Sequence, residues 1–167
     1  MKIRFLYFSL PLIALIVIPA IILFIFGAAP VNWHKGQTYV AFFLALPGFA
    51  ILFQTFYLFA TIGNGTCSPL APPQKLVICG PYAYIRHPMI FSGMLILLAE
   101  LLLFPSAALM LWFAICLLFN LWYLPMQEEP ALQRRFGAEY NEYCRQVPRY
   151  CPRLRPWRPE TNKKPRT

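Results

Sequence analysis

Charge is what this chain has least of. Of its 167 residues, 13% are charged and 59% are hydrophobic, whereas a soluble domain carries about 25% charged residues. The shortage excludes water as the main solvent and points to lipid. Acidic groups are scarcer than basic ones, six against fifteen Lys and Arg, for a net charge of +9. Paired cysteines are missing too. Cys67, Cys79, Cys116, Cys144 and Cys151 include no CxxC spacing and are odd in number. That argues against a disulfide framework or a zinc site, so no metal is expected. No internal repeat is visible, and the length suits one domain.

What the chain does have is long apolar runs. A spanning helix needs about 20 mostly apolar residues. Phe5 to Ala29 meets that, and Gln37 to Ile62 is a second run, with Pro47 and Gly48 marking a bend. Met89 to Phe104 and Ala107 to Met126 follow, joined so closely that they predict an antiparallel helical hairpin. Lys2 and Arg4 resemble the start of a signal peptide. The uncharged stretch after them exceeds the usual apolar core of about 7–15 residues, so it reads as a retained first span. Pro11 and Pro19 inside it are tolerable where neighbouring helices satisfy the freed carbonyls.

After Pro125 the texture changes. Glu128 to Arg145 is amphipathic, with Leu132, Phe136 and Tyr140 on one face and an interruption at Gly137. It reads as a surface helix. Val147 to Pro159 is rich in Pro and Arg and predicts extended chain. The fold class is therefore all-α: a polytopic transmembrane helical bundle of about four spans, near 5–29, 37–62, 89–104 and 107–126, with a cytoplasmic amphipathic C-terminal helix and lid over 127–159. One membrane-embedded domain covers 1–159, and 160–167 is a basic tail.

Ten of the basic residues lie after Gln127, Lys2 and Arg4 precede the first span, and Lys75 and Arg86 separate the second and third. The positive-inside rule then predicts a multi-pass protein with both termini and the Gly63–Pro88 loop in the cytoplasm. Beside membrane spans, such a basic tail reads as a partner for lipid headgroups rather than nucleic acid.

The ionisable chemistry gathers in two places that this topology puts on one face. Leu76 to Pro88 carries an imidazole, a guanidinium and two phenols beside a Gly80-Pro81 turn. Pro88 suits the first position of a helix. Arg86 and His87 then sit at a positive helix N-terminus, a natural anion site. They also fit as interfacial anchors, with the tyrosines in the aromatic belt. The second place is Glu128-Glu129, two carboxylates at the end of a span, one of which would neutralise Arg86. An acidic first turn favourable to the surface helix is the plainer reading.

The strings LVxxGPYxYxRHP (Leu76 to Pro88), EExxLxxxFGxEYxxY (Glu128 to Tyr143) and VPRxxPR (Val147 to Arg153), in this order, resemble the isoprenylcysteine carboxyl methyltransferase family, to which the phospholipid N-methyltransferases are related. The resemblance runs from Gly63 onward. It implies a membrane methyltransferase using S-adenosylmethionine, held at the cytoplasmic face under a C-terminal lid, with a lipophilic acceptor arriving from the bilayer. Carried over by residue, the cofactor contacts are Gln74, Lys75, Leu76, Val77, Gly80, Tyr82, His87, Pro88, Met89, Ile90, Glu128 and Glu129, the last serving structure more than cofactor. Gly63-Asn64-Gly65 lacks the strand and helix that make such a loop a phosphate cradle. Two departures stand out. The family's RHPxYxG is here Arg86-His87-Pro88-Met89-Ile90-Phe91-Ser92-Gly93. The arginine that the prenylcysteine enzymes place before the glutamates is Leu124. The cofactor inference survives both; a prenylcysteine acceptor does not follow. A non-catalytic assembly or carrier protein on the same scaffold, or a phospholipid N-methyltransferase, is the alternative.

The catalytic candidates are Arg86, His87 and Glu100. Glu100 stands about halfway along the third run, where a carboxylate costs about 2.5–3.5 kcal/mol on insertion scales. It is expected to face the bundle interior, either as a substrate-pocket group or in a hydrogen bond to Asn120, Gln54 or Thr55.

Overall fold

The computed structural model describes residues 13–27, 36–61 and 76–158. Every regular element among them is helical. Helix α1 is Ile18–Phe26, entered through a π turn at Ile13–Val17; α2 is Gly36–Thr61; α3 is Pro88–Leu103; α4 is Ala107–Tyr123; α5 is Glu129–Gln146. A 3-10 turn at Gly80–Ala83 leads towards α3, and a π turn at Leu124–Glu128 joins α4 to α5.

Large apolar side chains cover the outside. Phe43, Leu46 and Phe53 of α2 and Leu111, Leu118 and Trp122 of α4 are exposed, and Phe24 of α1 is 90% exposed. An apolar surface this continuous is what lipid requires and water penalises. Gly36–Leu58 and Ala107–Gln146 are long and apolar enough to cross a membrane; Ile13–Phe26 and Pro88–Leu103 are shorter apolar helices. The chain is a membrane protein.

Inside the bundle, Leu15, Leu52, Ile96 and Leu97 form an aliphatic core, backed by Phe56, Met94 and Trp112. The closest pairing is α2 on α3. Gly48 permits it: a Cβ there would lie 3.0 Å from Ile96 Cγ1 and 3.4 Å from the Ser92 carbonyl. Pro19 has no N–H, so in the π spacing the Ala14 carbonyl loses its donor. The Trp112 indole donates to that carbonyl from α4 at 3.2 Å. This is the repair by a neighbouring helix that a proline inside a span demands.

Two expectations change. The sequence ended a span at Met126 and began a separate helix, whereas the helix runs on without a break over residues 107–136. Pro130 cannot donate backwards and crowds the preceding turn. Opening that turn to π spacing, with Glu129 N–H on the Leu124 carbonyl, lets the helix continue. The break comes later, at Gly137 (φ 54°, ψ −123°). The second change concerns Glu100. It lies in the last turn of α3 rather than halfway, its carbonyl accepting from Phe104 N–H at 2.8 Å. Its Oε2 is buried without a partner among the described residues. Thr55 and Asn120 donate instead to carbonyls of their own helices, Ile51 and Cys116, both at 2.7 Å.

Beyond the bundle, α5 and the segments around it form a second, smaller core. Tyr140, Tyr143 and Val147 are buried there against Leu76, Ile78, Phe136 and Trp157. Residues 147–158 cross this cap without regular structure. Backbone hydrogen bonds tie them to the 3-10 turn: Arg86 N–H to the Pro148 carbonyl, Arg153 N–H to Tyr84, and Trp157 N–H to Ala83, each 3.0 Å.

Candidate functional site

The site begins with a turn held from both sides. Pro81 accepts from the N–H groups of Tyr84 and Ile85 at 3.0 and 3.1 Å. Gly80 has φ +59°, and a Cβ there would stand 2.8 Å from Leu58 Cδ1 and 3.6 Å from Gln54 Nε2. The turn thus rests on α2 and is open only to glycine. From above, the Tyr143 phenol donates to the Tyr82 carbonyl at 2.8 Å.

The turn delivers Arg86 and His87 to the end of α4. Arg86 is spent on architecture. Its Nε donates to the Val147 carbonyl at 2.6 Å, one terminal nitrogen donates to the Cys144 carbonyl at 2.5 Å, and the other meets Glu129 at 3.2 Å. A guanidinium at the C-terminus of α5 satisfies carbonyls that the helix leaves bare and complements its dipole.

His87 is 6% exposed and lies between two carboxylates, Nδ1 3.2 Å from Glu128 and Nε2 3.4 Å from Glu129. Both ring nitrogens can donate only in the imidazolium. Burial works against that charge, but the hydrogen bonds and fields of Glu128 and Glu129 outweigh it and raise the pKa. Glu129 is the hub. Burial would raise its pKa, yet His87, Arg149 and Arg86 together hold it down at about 2. Arg149 contacts it twice, Nε to Oε1 at 2.7 Å and the terminal nitrogen to Oε2 at 2.5 Å. Glu128 differs: its side chain is 34% exposed, and His87 is its ion-pair partner.

Of the sequence-predicted residues, the structure brings Arg86, His87, Glu128 and Glu129 into mutual contact. Val77 and Pro88 are buried, Tyr82 and Ile90 half-buried. Leu76 packs on the cap and Met89 on the bundle core. Helix α3 begins at Pro88 without a side-chain cap, so the first-turn N–H groups of Met89 and Ile90 have no capping side chain. Gln74 and Lys75 lie outside the described residues, as does Gly63-Asn64-Gly65. Glu100 is not part of the cluster: thirteen residues along α3 from His87, it is about 20 Å away along the axis. Sequence reasoning placed Arg149 and Tyr143 only as letters of the motif strings, and Gln54 only as a possible partner of Glu100, not beside the Gly80 turn.

The family model for phospholipid methyltransferase matches residues 36–139. The chain belongs to this family. No curated protein and no solved structure matches it. The family match begins with α2 and ends inside α5, so it contains the turn, His87 and both glutamates. The resemblance read from sequence began only at Gly63. The match adds α2, whose Leu58 and Gln54 are the residues that shape the Gly80 turn.

Proposed function

We propose that this phospholipid methyltransferase family member transfers a methyl group from S-adenosylmethionine to a lipophilic acceptor that enters from the bilayer. In this reading α1 to α4 are four spans, both termini are cytoplasmic, and the cap is the lid over the cofactor. The observation that carries it is the division of labour between the two glutamates. Glu129 is buried and held by Arg86, Arg149 and His87, whereas Glu128 is about one-third exposed and meets His87 through one oxygen, so the rest of its carboxylate is open to a ligand.

That donor set fits the cofactor. Glu128 would hold its ammonium group or ribose hydroxyls. The first-turn N–H groups of Met89 and Ile90 would receive its carboxylate, since α3 has no side-chain cap. Bound there, S-adenosylmethionine supplies a methyl group on a cationic sulfonium for in-line transfer. The protein contributes positioning and exclusion of water, which suffice for a carboxylate acceptor. An amine acceptor must also lose a proton. His87 and Glu128, 3.2 Å apart, are the groups placed to take it. Family membership and Leu124, buried at 2% exposure, favour a phospholipid amine over a prenylcysteine.

Calorimetric titration of the detergent-solubilised protein with S-adenosylmethionine tests the reading. Binding is expected, with Glu128→Ala and His87→Ala each weakening it more than about tenfold, or 1.4 kcal/mol. A folded protein that binds no cofactor would sink it. Transfer of labelled methyl to phosphatidylethanolamine, and not to a prenylcysteine, would support the amine acceptor. Binding without transfer to any lipid would instead support the non-catalytic carrier.

A further inference from the structure

The segment after α5 has a feature that the site does not use. From Arg145 to Arg158 the chain holds five arginines and no acidic residue. Two are committed inward: Arg149 to Glu129, and Arg153 to the Gln146 carbonyl at 2.7 Å. Arg145 faces Glu142 at 3.9 Å across exposed surface. Arg155 and Arg158 are exposed and make no ion pair among the described residues. Between Arg153 and Arg155 stands Leu154, 99% exposed, with Tyr150 exposed nearby.

One bare leucine is ordinary on a protein surface. Its place makes it informative here. The segment is strapped by backbone hydrogen bonds to Ala83, Tyr84 and Arg86. Those residues lie immediately before Pro88, where the apolar helix α3 starts. The His87–Glu128 contact brings the end of the α4 track to this point, where Trp122 and Met126 are exposed. The strap therefore runs at headgroup depth, with an apolar tip between cations. Negative headgroups attract such a segment through its arginines.

We propose that residues 150–158 are a docking element for the anionic lipid leaflet, with Leu154 entering the interface and Arg155 and Arg158 meeting lipid phosphates. Seated on the leaflet, the strap keeps Arg149 pressed on Glu129. The inference stands on the membrane placement of the bundle and is independent of the methyl-transfer reading.

Hydrogen exchange of the full chain, followed by mass spectrometry in nanodiscs, tests it. Peptides covering 150–157 are compared in phosphatidylcholine alone and in phosphatidylcholine with phosphatidylglycerol, with α3 peptides as the internal measure of folding. Exchange of the strap is expected to slow at least fivefold in the anionic discs. Arg155→Gln with Arg158→Gln should abolish that difference, and Leu154→Asn should reduce it. Equal exchange in both lipids would overturn the proposal, as would a difference that survives the double arginine variant. Inorganic phosphate is added to the neutral discs as a third arm. Slowing there as large as in the anionic discs would also overturn it, because the segment would then be an anion site rather than a leaflet contact.

Discussion

The bundle and the cap are built on opposite principles. The bundle core is Leu15, Leu52, Ile96 and Leu97, apolar packing with a close approach at Gly48 and a directed contact from Trp112 to the Ala14 carbonyl. The cap holds its segments by aimed contacts. Arg86 alone reaches the Val147 and Cys144 carbonyls and Glu129, and Glu129 collects Arg86, His87 and Arg149. The difference teaches where function can sit. Lipid-facing helices tolerate exchange of one apolar residue for another, since packing depends on volume and shape. A chain of charges does not, because each member left alone stays buried and unpaired.

Removing Arg86 is the strongest way to break the cap without touching the bundle. Arg86→Ala leaves two carbonyls at the end of α5 bare and Glu129 less compensated, and breaking a buried pair costs about 3–5 kcal/mol. Thermal unfolding in detergent should show the loss, and proteolysis should begin in α5 and the strap while α2 and α3 stay protected. Uniform loss of protection would mean that the two regions form one cooperative unit. The converse change is Gly48→Val, which forces α2 from α3. Overpacking of this kind costs about 1–3 kcal/mol. It should lower the melting temperature while leaving the His87 titration, read by imidazole NMR, unmoved. A shifted His87 would show that the bundle tunes the cap.

The shallowest test is pH. The folded pKa of Glu129, about 2, lies below its ordinary value of 4.5. Its contribution is present above about 4.5 and is lost as pH falls towards 2. His87 has the opposite sign: its pKa is raised above 6.5, so its contribution is complete below 6.5 and is lost as pH rises through the folded value. Cap stability should therefore fall on both sides of a mildly acidic optimum, and Glu129→Gln should flatten the acid limb. An acid limb unchanged in Glu129→Gln would place the titrating group elsewhere.

Much of the bundle was legible because helices in lipid need only a run of apolar residues. The second run, read as Gln37 to Ile62, is α2 at Gly36–Thr61, and Met89 to Phe104 is α3 at Pro88–Leu103. Glu100's place follows from the ends of its run rather than from its apolar surroundings: twelfth of the sixteen residues from Met89 to Phe104, it falls in the last turn of α3, remote from His87. The polar contacts were the hardest to read. One of the adjacent glutamates was expected to neutralise Arg86, but local spacing does not say which, and only the contact across forty-three residues gives that role to Glu129.

By itself, the sequence determined the solvent, the helical class, the two clusters of ionisable residues and, through three motif strings, a kinship with membrane methyltransferases. Those are properties of composition and local spacing. Only the tertiary structure decided that His87 lies between Glu128 and Glu129, that Arg86 caps α5, and that Arg149 returns from the strap to hold Glu129. Each depends on distances between segments remote along the chain. The π turn after α4 and the Gly80 turn before α3 set those distances.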